Sequence, residues 1–296
     1  MSCFICATCG MQFAERTDAP ERPPDECPVC LDERQYLPLG GQRWTTLDIL
    51  GRDHRNAFQR VAPGLYGIGT TPAFAIDQRA LLVNAAGRTD ASGPFVLWDC
   101  IALLDDATRD IIRALGGLAA IAISHPHYYT TMVEWAHAFD CPIFVHRDDS
   151  AWAMRPDPAI RFWSGETRTL DDVGAKGLTF VRCGGHFAGG TVLHWAAGAD
   201  GRGALLTGDV LQVSMDLRSV SVMRSFPNHI PLGEAAVRRI GNAVAPFAFE
   251  RLYGAWWNRH IDSDAKAAVE RSLDRIVAHL RGHTGPDAPR TPTASE

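Results

Sequence analysis

The sequence predicts an α+β protein, an αββα sandwich of two facing sheets with helices outside, preceded by a small four-cysteine module. Three observations carry this reading. Two halves of the chain each string together short apolar, β-branched runs separated by glycine, proline or polar turns, and each half closes with helix-patterned segments. Histidines and aspartates recur where the strand patterns stop, and a sandwich gathers such strand ends along one edge.

The elements follow in chain order. Residues 1–38 read as a separate module, in which Cys6-Ala7-Thr8-Cys9 and Cys27-Pro28-Val29-Cys30 are two CxxC knuckles seventeen residues apart. Each such turn aims two thiolates at one point, and two turns close a tetrahedron around a metal. The segment between them is too polar and proline-rich for a core, so the metal is expected to supply most of the module's stability. Zinc in a structural or docking role is expected; the knuckles also resemble those of rubredoxin, which leaves iron open, and Cys3 is an alternative ligand.

A domain over residues 45–281 follows the Gly40-Gly41 connection. Thr45-Thr46-Leu47-Asp48 reads as a helix start, with the helix running to about Phe58 before Pro63-Gly64 ends it. Strand patterns at 65–70, 74–76, 80–84 and 95–98 suggest an antiparallel meander. Asp105-Asp106 caps a helix reaching about Leu115, Gly116-Gly117 stops it, and 118–124 is a strand. Helix 131–138, strand 142–146 and a short helix at 149–154 lead to a proline-broken loop carrying Phe162 and Trp163. The second half offers strands at 178–183, 191–196, 204–207, 219–223 and 251–254, with helices at 233–244 and 263–280. Residues 282–296 read as a disordered tail.

Composition narrows the function classes. The 296 residues are 46% hydrophobic and 21% charged, with a net charge of −5 and no long basic run, so neither nucleic acid nor an acidic membrane is an expected partner. No leader pattern and no apolar run of spanning length is present, so the expectation is a cytoplasmic protein acting on small molecules. Cysteines clustered at CxxC spacing favour metal over disulfides in a reducing compartment, while Cys100, Cys141 and Cys183 fall in or beside apolar strands and read as buried small hydrophobes.

The chemistry-bearing residues sit at strand ends. Asp99 follows FVLW, His125 and His127 follow IAIS, His186 follows FVRCGG and Asp209 follows ALLTG. At the end of a strand, residues i and i+2 share a face, so His125 and His127 converge on one spot, as first-row metal ligands do.

In their order and spacing, over roughly residues 60–281, Trp98-Asp99-Cys100, His125-Pro126-His127-Tyr128-Tyr129-Thr130, Gly185-His186-Phe187-Ala188-Gly189-Gly190 and Thr207-Gly208-Asp209 resemble the signature of the metallo-β-lactamase-fold hydrolase superfamily. The resemblance implies a first metal held by His125, His127 and His186, with Asp209 as the bridging carboxylate. The second metal of that superfamily needs an Asp and a His where this chain has Tyr129 and Thr130, and a late His where it has Tyr253-Gly254-Ala255-Trp256-Trp257. His260, in the following loop, is an alternative late ligand.

A single zinc on three histidines with an open fourth position still supports hydrolysis. The expectation is a metal-dependent hydrolase of a small-molecule ester, lactone, thioester or similar bond, using metal-activated hydroxide. One zinc would sit on the histidines and one in the cysteine ribbon. Asp209 would ligate the metal or orient the water, and Tyr128 or Tyr129 would donate to the developing oxyanion. Phe74, Trp163, Met223, Trp256 and Trp257 are candidate walls of the pocket. Two rivals stand beside this reading. One is a catalytically weak or silent protein whose ribbon docks a protein partner; the other is a redox protein pairing a rubredoxin-like module with a metal or flavin. No GxSxG elbow, Walker loop or GxGxxG after a strand supports other chemistries.

Overall fold

The structure, a computed structural model, describes residues 3–86 and 93–283; the expected tail lies, from residue 284 on, outside the described residues. It opens with β1 (Ile5–Cys6), α1 (Pro28–Leu31), β2 (Trp44–Thr45) and α2 (Leu47–Asp53). There follow β3 (Arg55–Ala62), β4 (Leu65–Thr71), β5 (Ala80–Asn84), β6 (Phe95–Trp98), α3 (Asp106–Leu115), β7 (Leu118–Ala122), α4 (Met132–Phe139), β8 (Ile143–His146) and β9 (Ile160–Trp163). The second half holds β10 (Thr167–Leu170), β11 (Ala175–Arg182), β12 (Thr191–Trp195), the short turn α5 (Gly198–Gly201), β13 (Ala204–Gly208), β14 (Gln212–Val213), β15 (Val220–Ser221), β16 (Met223–Ser225) and β17 (Ile230–Pro231). It ends with α6 (Glu234–Val244), β18 (Arg251–Gly254), β19 (His260–Ile261) and α7 (Ala265–Leu280).

Two sheets form the body. The first has seven strands in the order β3 to β9, antiparallel as far as β6 and parallel from β6 through β9. The second has six, in the order β10-β11-β12-β13-β18-β19, with β13 and β18 parallel. Alternation along each strand separates two faces. Leu81, Val83, Val96, Trp98, Ala120 and Phe144 of the first sheet meet Leu178, Phe180, Leu193, Trp195 and Leu206 of the second, closing the core between the sheets. The opposite face of the first sheet (Leu82, Leu97, Ile121, Ile143) is covered by Ile112 of α3 and by Val133, Trp135 and Ala136 of α4. The outer face of the second sheet (Val181, Val192, Leu205, Leu252) packs under α6 and α7. This is the four-layer αββα sandwich that the patterning predicts. Each fully buried Leu, Val or Phe in these layers contributes roughly 1.5–3 kcal/mol.

Local chemistry explains where pattern and structure diverge. Thr46 caps α2, its hydroxyl accepting the Ile49 N–H at 3.3 Å, but the helix stops at Asp53 and residues 55–62 form β3 instead of continuing it to Phe58. The turn at Pro63-Gly64, with Gly64 at φ +72°, folds β3 back along β4, and sheet pairing overrides the helix pattern. Residues 74–76 form a turn, not a strand: Ala75 and Asp77 lie at φ +56° and +58°, and the Asp77 N–H donates to the Phe74 carbonyl. The expected loop around Phe162 and Trp163 is edge strand β9, and Trp163 is buried against Phe180 and His146.

The cysteine segment shares its packing with the body. Cys6, Cys9, Cys27, Cys30, Met11, Val29 and Phe13 lie in one continuous apolar cluster with the outer face of the first sheet. Cys100, Cys141 and Cys183 are buried free thiols.

Trp257 lies across two same-face glycines of β4: a Cβ at Gly67 would sit 2.7 Å, and one at Gly69 2.6 Å, from its indole. Gly69→Ala is therefore expected to lower stability in urea unfolding by about 1–3 kcal/mol. Adding Trp257→Ala to that variant should recover part of the loss; equal loss with and without the indole would contradict the packing.

Candidate metal centre

The site forms where strand ends of both sheets meet. Because β6 and β7 are parallel, with Trp98 opposite Ala122, they deliver Asp99 and Ser124 to the same edge. Asp99 turns at φ +60°, donates its N–H to the Ala122 carbonyl and accepts the Ser124 N–H on Oδ1, both at 2.8 Å. It is thus a brace between strand ends, and it does not join the ligand group. Burial raises its carboxyl to about 7, against the pull of the Ser124 hydrogen bonds.

His125 and His127 converge through a turn, not through strand periodicity. The strand ends at Ala122, His125 is extended at φ −169°, and Pro126 opens a 3-10 turn through Tyr128 that swings His127 back. Proline suits that first position because its missing N–H would have no partner there. His186 sits in the loop from β11 to β12, closed by the N–H groups of Cys183 and Gly184 on the Gly190 carbonyl. Asp209 follows β13 through Gly208 at φ +55°.

These four side chains come together, with one donor atom from each lying within 4.8 Å of all the others. His125 Nε2 is 3.2 Å from Asp209 Oδ1, and His186 Nε2 is 3.1 Å from His127 Nδ1. Donors on a tetrahedron about 2.0–2.1 Å from zinc would be separated by about 3.3 Å, so the spacing fits one ion. The remaining ring nitrogens of His125 and His186 are oriented from behind. Ser124 Oγ lies 2.9 Å from His125 Nδ1, and the Met223 carbonyl lies 3.3 Å from His186 Nδ1. His125 Nε2 and Asp209 Oδ1 are both buried without a hydrogen-bond partner, an arrangement that suits a cation between them. Burial pushes all three imidazoles below their ordinary range, which keeps them in the neutral form that binds metal. Burial also raises the Asp209 carboxyl.

The cysteines make a second such group. Cys6 and Cys30 sulfurs are 3.6 Å apart, as are those of Cys9 and Cys27, near the roughly 3.8 Å edge of a tetrahedron with Zn–S of about 2.3 Å. Gln42 Nε2 donates to Cys6 Sγ at 3.1 Å. Hydrogen bonds, first from Cys27, depress the Cys6 thiol, and the same crowding raises Cys9 and Cys30; a cation bound there would supply the charge that lets all four ionise. Cys3 stands outside the group.

The residues in place of second-metal ligands do not rebuild that site. Burial raises the phenols of Tyr128 and Tyr129, which holds both neutral. Tyr128 faces Asp209 and Asp99, whereas the charge acting on Tyr129 is Asp149. Thr130 is buried under the first knuckle, its carbonyl accepting the Gln12 N–H. Ala255 follows β18, and His260 pairs with Asp262 at 3.6 Å. Among the described residues no further group of metal-type ligands forms.

The expected pocket walls scatter. Trp256 and Trp257 line a cavity of about 520 Å³ with Phe226, Met215, Asp77 and Arg259, whereas Trp163 is core, Phe74 borders a small crevice beside Thr130, and Met223 acts through its carbonyl. Sequence reasoning missed Ser124, Phe187 and Arg34. The Phe187 ring lies 5.4, 4.9 and 5.2 Å from those of His125, His127 and His186. Its place beside His186 was a signal; Arg34 gave none.

Ser124→Ala removes the group that orients His125. It is expected to weaken zinc binding at the histidines by about 10-fold in chelator competition, with the cysteine site unchanged; undiminished affinity would show that Ser124 does not orient the ligand.

No protein-family model matches the chain. It is 45% identical over 282 residues to the uncharacterized protein YmaE of Bacillus subtilis (strain 168), across 95% of this chain and 97% of that protein. Among solved structures, the DIM-1 metallo-β-lactamase superposes with a TM-score of 0.55 at 14% identity, covering 76% of this chain and 98% of that one. The metallo-β-lactamase FIM-1 from Pseudomonas aeruginosa, in its mono-zinc form, superposes with a TM-score of 0.51 at 14% identity over 77% of this chain and 95% of that one. At these identities the solved structures speak for architecture alone. The chain thus belongs to the family of Bacillus subtilis YmaE and has the metallo-β-lactamase fold.

Proposed function

We propose that this chain is a mononuclear metal-dependent hydrolase of a small-molecule ester, lactone or thioester. The observation that carries the reading is the convergence of His125, His127, His186 and Asp209, one donor atom from each lying within 4.8 Å of the others, with His125 Nε2 3.2 Å from Asp209 Oδ1 and His186 Nε2 3.1 Å from His127 Nδ1. A divalent metal bound there would acidify a water and supply a nucleophile near neutral pH. His125, His127 and His186 would hold the ion. Asp209, its carboxyl raised by burial, is placed to take up the proton that the water loses. Tyr128, neutral and facing Asp209, is the phenol placed to donate to charge that develops on the substrate. Tyr129, turned toward Asp149, is the weaker candidate for that donation.

Substrate room lies in the 520 Å³ cavity, because its Phe226 ring stands 6.1 Å from His186. Three aromatic rings and the Arg259 guanidinium favour an organic molecule of modest size with an apolar part.

A second reading has its own observation. The four ligands are only 1–6% exposed and line none of the larger cavities, as suits a closed structural ion in a partner-docking protein. A panel of aryl esters, lactones and thioesters separates the two. Hydrolysis that vanishes in His186→Ala and falls about 100-fold in kcat in Asp209→Asn supports the enzyme. A metal-loaded chain inert to the whole panel favours the docking protein.

A further inference from the structure

The first knuckle grips the segment that follows His127, and the stretch after the second grips the β16–β17 hairpin that lies behind His186. From the first, the Gln12 N–H donates to the Thr130 carbonyl at 3.1 Å and Gln12 Nε2 donates to Glu134 Oε1 at 3.2 Å, pinning the stretch that follows His127. A Cβ on Gly10 would lie 3.3 Å from the Thr130 methyl, so the knuckle backbone itself rests on this loop. From the second, the segment just past Cys30 reaches the β16–β17 hairpin. Glu33 pairs with Arg224 at 2.9 Å, and Asn228 Nδ2 donates to the Glu33 and Gln35 carbonyls at 2.9 and 2.7 Å. Residues 223–228 also include the carbonyl that faces His186 Nδ1.

Arg34 makes the most direct link. Asp32 holds its guanidinium in a two-point fork at 2.5 and 2.8 Å, leaving its plane 3.9 Å from the centre of Phe187 and 4.8 Å from that of Trp152. Phe187 in turn touches all three ligand histidines. A buried guanidinium on an aromatic face is largely desolvated, which strengthens its attraction to the ring and fixes the ring's position. Asp32 and Arg34 stand two and four residues beyond a cysteine ligand, so their positions depend on whether the knuckle is closed.

We propose that metal binding at Cys6, Cys9, Cys27 and Cys30 assembles the histidine centre, with Arg34 as the positioning residue that seats Phe187 against the three imidazoles. This rests on the reading of the histidines as a metal centre, and it makes the two sites thermodynamically coupled: filling the cysteines raises affinity at the histidines. An emptied or oxidised cysteine site would therefore switch off the distant centre.

The test uses the full chain titrated with cobalt(II), whose thiolate charge-transfer absorption reports the cysteine site, and chelator competition for the histidine-bound ion. In Arg34→Met the cysteine spectrum should stay unchanged while affinity at the histidines falls about 10-fold. Arg34→Lys should not restore it, because an ammonium lacks the planar fork and stacking face. Asn228→Ala, a surface truncation that loosens the second grip, should weaken the same site in the same direction. Cys27→Ser with Cys30→Ser should reduce histidine-site affinity at least as much as Arg34→Met does. Affinity within twofold of wild type in both Arg34→Met and Asn228→Ala would overturn the coupling alone. A wild-type chain that takes up cobalt only at the cysteines would overturn the metal-centre reading, and the coupling with it.

Discussion

Ser124 is where the two sheets meet, and the site depends on that contact. Its N–H is held by Asp99 from the first sheet, and its carbonyl accepts the Thr191 N–H that begins β12 in the second, at 2.9 Å. Its hydroxyl backs His125, and the same oxygen would lie 2.7 Å from a Cβ at Gly208. Only glycine allows β13 to come this close, and Gly208 also adopts the left-handed backbone that turns Asp209 inward. Ligands drawn from different sheets reach hydrogen-bonding distance of one another because backbone, not flexible side chains, sets the gap.

A site made this way departs from a second-metal centre in a specific manner. Thr130, next after Tyr129, packs against Gly10 of the first knuckle, and the phenols of Tyr128 and Tyr129 are held neutral by burial. Phenols kept protonated by burial are poor ligands, whereas imidazoles kept deprotonated by burial are good ones. One physical effect, desolvation, thus favours the three-histidine ion and disfavours a neighbour. The cost is enclosure: Phe187, under the Arg34 guanidinium, packs against the three histidines, and the ligands are nearly inaccessible.

Much of this was legible in the sequence, and the rest has identifiable causes. Short apolar runs between turn residues marked strands at 80–84, 95–98 and 191–196, the last of which ends at Trp195, and the Asp105 cap marked α3, because local signals and tertiary packing agree there. The end of α2 was misread because residues 54–58 carry no strong breaker, and only the β4 partner decides their state. The ligand quartet was legible as polar residues at strand ends. Asp99 was grouped with them because sequence cannot show that its carboxylate is spent on the Ser124 N–H. Arg34 was invisible for a stronger reason: its role exists only once a segment far away in the chain supplies Phe187 and Trp152.

The central claim is that one ion, not two, belongs among the histidines, beside a separate ion in the cysteines. Anomalous diffraction at the zinc edge from crystals of the full chain tests it most directly. The account predicts two peaks, one enclosed by the sulfurs of Cys6, Cys9, Cys27 and Cys30 and one enclosed by His125 Nε2, His127 Nδ1 and His186 Nε2 with Asp209 beside it. A peak missing at the histidines, or a companion about 3.5–4 Å from it as in two-metal sites, would contradict the account.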